Sequence, residues 1–386
     1  MGVDAWGFDE ERQAVARRLR SKRLRLGAVR TASFGVIAGI LVFGGAAACR
    51  DLILSLGWPG WASVVTFLAV LFGVFAAAEV PFSYVGGFRW EHAIGLSTQT
   101  FAGWMKDLGK SLALGLGSTI VVGGVLLWLL ATTPWWWLVG WVLGTAVSAV
   151  LGFLAPIVFV PLFFRFRPLQ DERLRNRFVA LATRAHVPVL GVFELQASSK
   201  TRRSNAAVMG FGRTRRIIVT DTLLRAFQVD EVDSVLAHEL AHQSYLDPIR
   251  GFLVGSLSSL VIVALTAWLY AISHSSFGIV SIADVAGLPL VAVLFSLVAL
   301  PFRPVELWWS RIREARADRF SLELTRNPNA FAAAMVRLHD RNLGVAIPSR
   351  WEKWLFYSHP SGRERVAFAR SFAASQAAGA RDLGGI

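Results

Sequence analysis

Cysteine and charge are both scarce in this sequence. Of its 386 residues only Cys49 is a cysteine, which excludes an intrachain disulfide framework and a metal cluster built from several cysteines. Charged residues make up 17% of the chain and hydrophobic residues 54%, a balance far from that of ordinary water-soluble domains. The composition therefore indicates a membrane protein.

Acidic residues are outnumbered by basic ones, and the formal net charge is +14. Such a charge can indicate nucleic-acid binding, but here the basic residues lie between long apolar runs and not on a polar module with a base-reading motif. We therefore expect no nucleic-acid partner, and a lipid bilayer in its place. Arginine outnumbers lysine among many Ala and Gly residues, which suggests a bacterial source.

Long runs without charge predict six membrane spans. A spanning helix needs about 20 apolar residues, and the stretch 111–164, which has no charged residue, is long enough for two spans hinged at the Thr-Thr-Pro-Trp-Trp-Trp segment 132–137. The predicted spans are 31–49, 61–82, two within 111–164, 251–272 and 285–302.

Lys and Arg are concentrated on one side of these spans. Because positive loops stay in the cytoplasm, both termini and the large polar segments are predicted to be cytoplasmic, in a multi-pass protein of the cell membrane, which is the inner membrane for a bacterial source. The predicted organisation is a basic cytoplasmic leader (1–30), a membrane region with four spans (31–164), a cytoplasmic segment (165–250), a membrane hairpin with two spans (251–302) and a second cytoplasmic segment (303–386).

The first of the two large polar segments mixes helix and strand patterns. Periodicity predicts a helix over 171–185, strands over 192–195 and 216–220, and a helix over 230–246 capped by Asp230. The expected fold class is therefore mainly α, a six-helix polytopic membrane protein with a small cytoplasmic α+β domain formed by two segments.

The motif His238-Glu239-Leu240-Ala241-His242 lies in the second predicted helix of that segment. Two His residues four apart project from one helical face and can share a zinc ion, while the carboxylate of Glu239 can take a proton from an attacking water. The alternative is a helix whose two His residues make ordinary polar contacts.

A catalytic zinc site needs a third protein ligand and one open position. Glu314, just after the last predicted span, is the candidate ligand, and Asp318 on the same helical face could accept the free N–H of a ligating His. The alternative is a solvated face on which acidic residues pair with the neighbouring arginines.

Four ordered stretches of this sequence resemble the type I CAAX prenyl protease family of membrane zinc metalloproteases. They are Phe-Arg-Trp-Glu-His at 88–92 with Gly-Leu-Ser-Thr-Gln-Thr at 95–100, Ser-Asn-Ala at 204–206 followed by 215–224, the motifs around Glu239 and Glu314, and Ser-His-Pro at 358–360 with Glu-Arg at 364–365. Eukaryotic members have seven spans, one more than the six predicted here.

The resemblance implies a fold, a cofactor and a set of site residues. It implies a zinc metalloprotease domain with one zinc per chain, and Asn205 would lie on an edge strand to which an extended peptide adds. Without the resemblance, His359 would be a turn residue before proline and Arg365 a surface residue. The implied roles are zinc ligands His238, His242 and Glu314, general base Glu239, support of a ligating His by Asp318, catalytic His359 and Arg365, and substrate-binding Asn205 and Ala206.

The expected function is cleavage of peptides or membrane-associated proteins near the cytoplasmic membrane surface by a zinc endopeptidase. Two alternatives remain. One is a quality-control protease like the heat-shock membrane metalloproteases, and the other is a receptor or scaffold that binds zinc without turnover. A purely structural zinc site has no need of Glu239, which argues against the second alternative.

Overall fold

The computed structural model describes residues 2–383. Within this range five helical stretches are long and apolar enough to cross a membrane: Glu10–Ser55, Gly60–Ala93, Phe101–Thr132, Trp136–Phe163 and Asp247–Phe277. In the membrane half the helices are α1 (Glu10–Ile40), α2 (Ala46–Ser55), α3 (Gly60–Ser83), α4 (Trp90–Ala93), α5 (Phe101–Thr132), α6 (Trp136–Leu154) and α7 (Val160–Phe163).

The first stretch begins well before the apolar run. Asp9 caps α1 by accepting a hydrogen bond from the backbone N–H of Arg12, so the basic leader is helical and continues into the first span. A π-helical segment, Leu41–Gly45, joins α1 to α2, and Gly44 adopts a φ of 119° there. A φ in this range is readily available only to glycine, which explains how the long helix bends inside the membrane.

The second half of the chain forms a small α+β domain on the water side, which is interrupted by a membrane hairpin. Its elements are β1 (Phe166–Pro168), α8 (Glu172–Arg184), β2 (Gly191–Leu195), β3 (Ala206–Met209), β4 (Arg216–Thr220), α9 (Asp221–Ala226), α10 (Val229–Ser244), α11 (Asp247–Ser273), α12 (Leu288–Ala299), α13 (Phe302–Thr325), α14 (Pro328–Asn342), α15 (Arg350–Phe356) and α16 (Gly362–Leu383).

A bent pair of helices can form one further membrane crossing. The segments Val285–Ala299 and Phe302–Thr325 together are long and apolar enough to form one span, with a bend of 48° between them. The crossing stretches thus number five in the described residues, or six when the bent pair counts as one span. The predicted mainly α polytopic fold with a small α+β domain is confirmed.

The four strands form one sheet in the order β1-β2-β4-β3. β2 and β4 are parallel, and the two outer strands are antiparallel to their neighbours. The strands predicted from periodicity are β2 and β4, which lie inside the sheet. Periodicity missed β1 and β3, because three or four residues are too few to show an alternation.

Helix α10 passes through the centre of the water-side domain. It begins at Val229 after Gln228, whose backbone N–H is bound by the Glu231 side chain in a capping box. The predicted cap at Asp230 is therefore wrong. The carboxylate of Asp230 instead pairs with Arg177 of α8, an interaction between distant residues that no local pattern reveals.

The core around α10 joins the two water-side segments. Leu236 and Leu240 are fully buried and belong to one hydrophobic cluster with Ile217 of β4, Leu322 of α13 and Phe331 of α14. Burying each such side chain contributes about 1.5–3 kcal/mol. Residues on both sides of the membrane hairpin therefore form one domain, which brings α13 against the histidine face of α10.

Candidate metal centre

The two histidines of α10 face the same point. They lie one helical turn apart, their ring centroids are 4.9 Å from each other, and their Nε2 atoms are separated by 3.3 Å. Glu314 of α13 meets them, with Oε2 3.1 Å from His238 Nε2 and Oε1 3.5 Å from His242 Nε2. One ligand atom from each of the three residues lies within 4.8 Å of the others.

A carboxylate behind each histidine determines where the imidazole carries its proton. Asp318 Oδ1 lies 2.9 Å from His238 Nδ1, and Asp247 Oδ2 lies 2.9 Å from His242 Nδ1. Each neutral ring therefore donates from Nδ1 and keeps a lone pair on Nε2. Two Nε2 lone pairs and the Glu314 carboxylate converge on one point. These electron-rich groups repel one another unless a cation lies between them. The donor set fits a zinc ion.

Asp247 was missed by the sequence reasoning. It is the first residue of α11, only 2% exposed, and it also accepts a 2.5 Å hydrogen bond from Arg316 Nη2. The chain reaches it through Leu246, whose φ of 57° turns α11 away from α10 within one residue. An acidic residue at the start of a span is expected to cap the helix, so the sequence position of Asp247 does not indicate its contact with His242.

Arg365 lies behind His238, where it binds Asp318. Its Nε is 2.9 Å from Asp318 Oδ2 and its Nη2 is 2.5 Å from Oδ1, and both residues are buried. The reading of Arg365 as a surface residue is thus wrong. A buried, bidentate pair of this kind fixes the Asp318 carboxylate and, through it, the ring of His238.

The electrostatics of α10 reflect this dense set of acids. Burial by itself would lower the pKa of the His238 imidazole, but hydrogen bonds with Asp318 and Glu314 outweigh burial and raise that pKa to about 9. A proton on Nε2 would therefore compete with a metal ion, which binds only the neutral ring. Burial raises the pKa of the Glu239 carboxyl, and Glu239 has no hydrogen-bond partner within the described part of the chain. Its carboxylate is therefore available to a ligand in the adjacent pocket.

That pocket has a volume of about 260 Å³ and opens beside the histidines. His359, half exposed at its rim, has Nε2 3.3 Å from Glu314 Oε2. Asn205 is exposed and immediately precedes β3, with its backbone bound to Thr220 of β4. The structure thus brings every candidate site residue to one place. The pocket is lined by, among others, Asn205, Ala206, His238, Glu239, His359 and Arg365.

Two family models together match almost the whole chain. The model described as CAAX prenyl protease N-terminal, five membrane helices, matches residues 7–165, and the model of peptidase family M48 matches residues 168–373, more than half of the sequence. The chain belongs to peptidase family M48. The predicted resemblance is confirmed, and this M48 peptidase is a membrane metallopeptidase like the CAAX prenyl proteases.

Curated relatives and a solved structure agree with this assignment. The M48 peptidase is 30% identical over 311 residues to the uncharacterized metalloprotease YhfN of Bacillus subtilis, covering 79% of this chain and 72% of the relative. It is 26% identical over 330 residues to CAAX prenyl protease 1 of Saccharomyces cerevisiae, covering 79% and 71%. The crystal structure of S. mikatae Ste24p matches its fold with a TM-score of 0.80 at 22% identity, over 93% of this chain and 88% of that one.

The number of spans differs from the description of the N-terminal family model. The N-terminal family model describes five membrane helices, whereas residues 7–165 of this chain contain four stretches that could cross a membrane. The sequence predicted one span fewer than eukaryotic members have, in agreement with this difference.

Proposed function

We propose that this M48 peptidase is a zinc endopeptidase that cleaves peptides or membrane-associated proteins near the membrane surface. His238, His242 and Glu314 would hold one zinc per chain. The observation that supports this most directly is the convergence of two Nε2 lone pairs and a carboxylate beside an open pocket that also contains the unpaired Glu239 carboxylate.

A zinc ion bound there would supply Lewis acidity, which polarises a peptide carbonyl and lowers the pKa of water. Glu239 would take the proton of the attacking water and pass it to the leaving amine nitrogen, the usual work of a positioned carboxylate. The raised pKa of Glu239 brings its proton affinity closer to that of its reaction partners. Asp318 and Asp247 would keep both histidines in the tautomer that ligation needs.

The substrate backbone would bind along β3. Among the strands of residues 2–383 it pairs only with β4, so its outer edge can accept an extended peptide as an added strand. Asn205 and Ala206, at the start of β3, line the same pocket as His238, where they would hold the peptide across the pocket. His359 at the rim and Arg365 behind His238 would help to stabilise the substrate carbonyl as it gains negative charge.

A groove in the membrane region favours a substrate with a long apolar part. It has a volume of about 950 Å³, is lined by α5, α6, α11 and α12, and extends to Gly251, four residues after Asp247. The groove would suit the prenyl group of a prenylated peptide, and several relatives of this chain are named CAAX prenyl proteases. An unfolded apolar segment of a membrane protein fits it too, as a quality-control protease would require.

The variant Glu239→Gln tests the proposed chemistry. We expect it to bind one zinc per chain, as the parent does, and to lose cleavage by a factor of about 10²–10⁴, because the carboxylate that accepts the proton is gone. Glu323→Gln on the exposed face of α13 is the matched control and should cleave normally. Undiminished cleavage by Glu239→Gln would exclude Glu239 from the mechanism. Absence of cleavage by the parent protein would instead support the alternative of a receptor or scaffold.

Matched substrates distinguish the two proteolytic roles. The purified protein would be offered a peptide with and without its prenyl group, and a misfolded membrane protein. A higher kcat/KM for the prenylated peptide supports the CAAX-like role, and preference for the misfolded protein supports quality control. The proposed cytoplasmic orientation is tested separately by a reporter fused in the tail beyond the end of α13 at Thr325, which should lie in the cytoplasm.

A further inference from the structure

The start of α13 presents an exposed apolar stripe where the chain leaves its last span. Val305, Trp308 and Ile312 are all about half exposed or more, and their spacing of three and four places them on one helical face. The opposite face carries Arg303 and Glu306, which form an ion pair. An amphipathic stretch of this kind is typical of a helix that lies between lipid and a polar interior.

Helix α15 adds a second set of exposed aromatic residues beside this stripe. It packs on α13, where Arg311 Nη1 donates to the backbone oxygens of Lys353 and Tyr357. Trp351 and Trp354 are 56% and 55% exposed. We define the juxtamembrane aromatic face as Val305, Trp308, Ile312, Trp351, Trp354 and Leu355.

The length of the last span indicates how deep this face lies. The 12 residues of α12 rise about 18 Å, short of the roughly 30 Å of hydrocarbon in a bilayer. With the bend of 48°, each residue of α13 advances only about 1 Å along the direction of α12. The missing distance of about 12 Å is therefore covered by Leu300, Pro301 and roughly the first ten residues of α13, which end near Ile312.

The neighbouring helix gives the same depth independently. Arg313 Nη1 approaches the backbone oxygen of Asp247 at 3.4 Å, so Arg313 is level with the first turn of α11. The exposed apolar residues of α11 begin at this level, with Ile249 and Leu253. On the aromatic side of α13, the exposed residues become charged beyond Ile312, with Arg319 70% exposed and paired with Glu323.

We propose that the juxtamembrane aromatic face is embedded in the leaflet next to the metal centre. Tryptophan is favoured at the level of lipid headgroups, and the face is continuous with the surface of the membrane-spanning helices. Because α15 ends at Phe356, three residues before His359, lipid around α15 also holds the turn that places His359 at the rim of the pocket.

Depth measurements test the first part of this proposal. Because Cys49 is the only cysteine, a Cys49→Ala background accepts one nitroxide at a time, at Trp308→Cys, Trp354→Cys or the control Arg319→Cys, in phosphatidylcholine vesicles. We expect the labels at 308 and 354 to collide with oxygen several-fold more than with a water-soluble nickel complex, and the label at 319 to show the reverse. Exposure of either test position to nickel overturns the proposal, and so does shielding from both reagents, which would indicate a protein partner.

The mobility of the His359 turn tests the second part. A nitroxide at Ser358→Cys would be compared with and without the changes Trp351→Ser and Trp354→Ser, and we expect several-fold faster motion once the two tryptophans are gone. Thermal unfolding and zinc content control for loss of the fold, and Trp61→Ser, an exposed tryptophan on α3, is the matched control. Unchanged motion in a folded variant overturns this part. Neither measurement needs cleavage, so the outcome is independent of the proposed function.

Discussion

The substitution Asp247→Asn tests how the proposed metal ligand His242 is oriented, without changing His242 itself. The amide has the shape of the carboxylate and can still accept the N–H of His242 Nδ1, now 2.9 Å from Asp247 Oδ2. What disappears is the negative charge, which is buried and is shared between His242 and Arg316. The variant should therefore fold normally and bind zinc less tightly.

The size of the effect follows from the surroundings of Asp247. Removing such a partner of a ligating His typically weakens metal binding 10- to 100-fold, which is about 1.4–2.7 kcal/mol. Arg316 is 34% exposed and can be solvated when the charge is removed. Asp318→Asn is less suitable, because it would strand the charge of the buried Arg365 at a cost of about 3–5 kcal/mol.

Competition with a chelator of known affinity measures the zinc dissociation constant of the purified protein in detergent. Asp230→Asn is the matched control, because it also replaces an aspartate with its amide, but in the exposed pair with Arg177. We expect the control to bind zinc as the parent does. Parent-like zinc affinity in Asp247→Asn would refute the reasoning, and would mean that helix packing alone orients His242.

Three further predictions concern stability and substrate binding. Leu240→Ala, in the fully buried core, should lower the free energy of unfolding by about 2–5 kcal/mol, whereas Leu190→Ala at an exposed position should change it by less than about 0.5 kcal/mol, both measured by denaturant titration. Asn205→Ala should raise KM for a peptide several-fold with unchanged zinc content, and an unchanged KM would exclude Asn205 from substrate binding. Burial lowers the pKa of His339 from 6.5 to about 4. As the pH falls through this interval, His339 is protonated in the unfolded chain but stays neutral in the folded chain, so the free energy of unfolding decreases. Replacing His339 with Asn should make stability less dependent on pH between 6.5 and 4, and equal slopes for both proteins would contradict this assignment.

The sequence predicted those features of the site that are local. His238 and His242 belong to one helix, so their common face follows from their spacing. Glu314 could be proposed because it lies just after the last predicted span with Asp318 on the same helical face, but its contact with His238 joins residues 76 positions apart. That contact depends on the core that packs α13 against α10.

Features that depend on tertiary contacts were missed or predicted wrongly. Asp247 reaches His242 only because Leu246 adopts a left-handed conformation, which a pattern of residue types does not indicate. Asp230 is a good capping residue by type, yet Arg177 binds it in place of the helix end. The spans were easier to predict because hydropathy depends on the sequence alone, whereas the 48° bend does not.

The bent last span couples the thickness of the bilayer to the geometry of the metal centre. Membranes differ in hydrocarbon thickness by a few ångströms, and a helix meets such a mismatch by changing its tilt. On α13 the residue Glu314 follows Ile312 by two positions, while the histidines lie on α10, whose Leu236 and Leu240 pack in the core of the water-side domain. In the proposed site, a change in the tilt of α13 would therefore move Glu314 relative to His238 and His242, and we expect the catalytic rate to depend on the lipid composition around the protein.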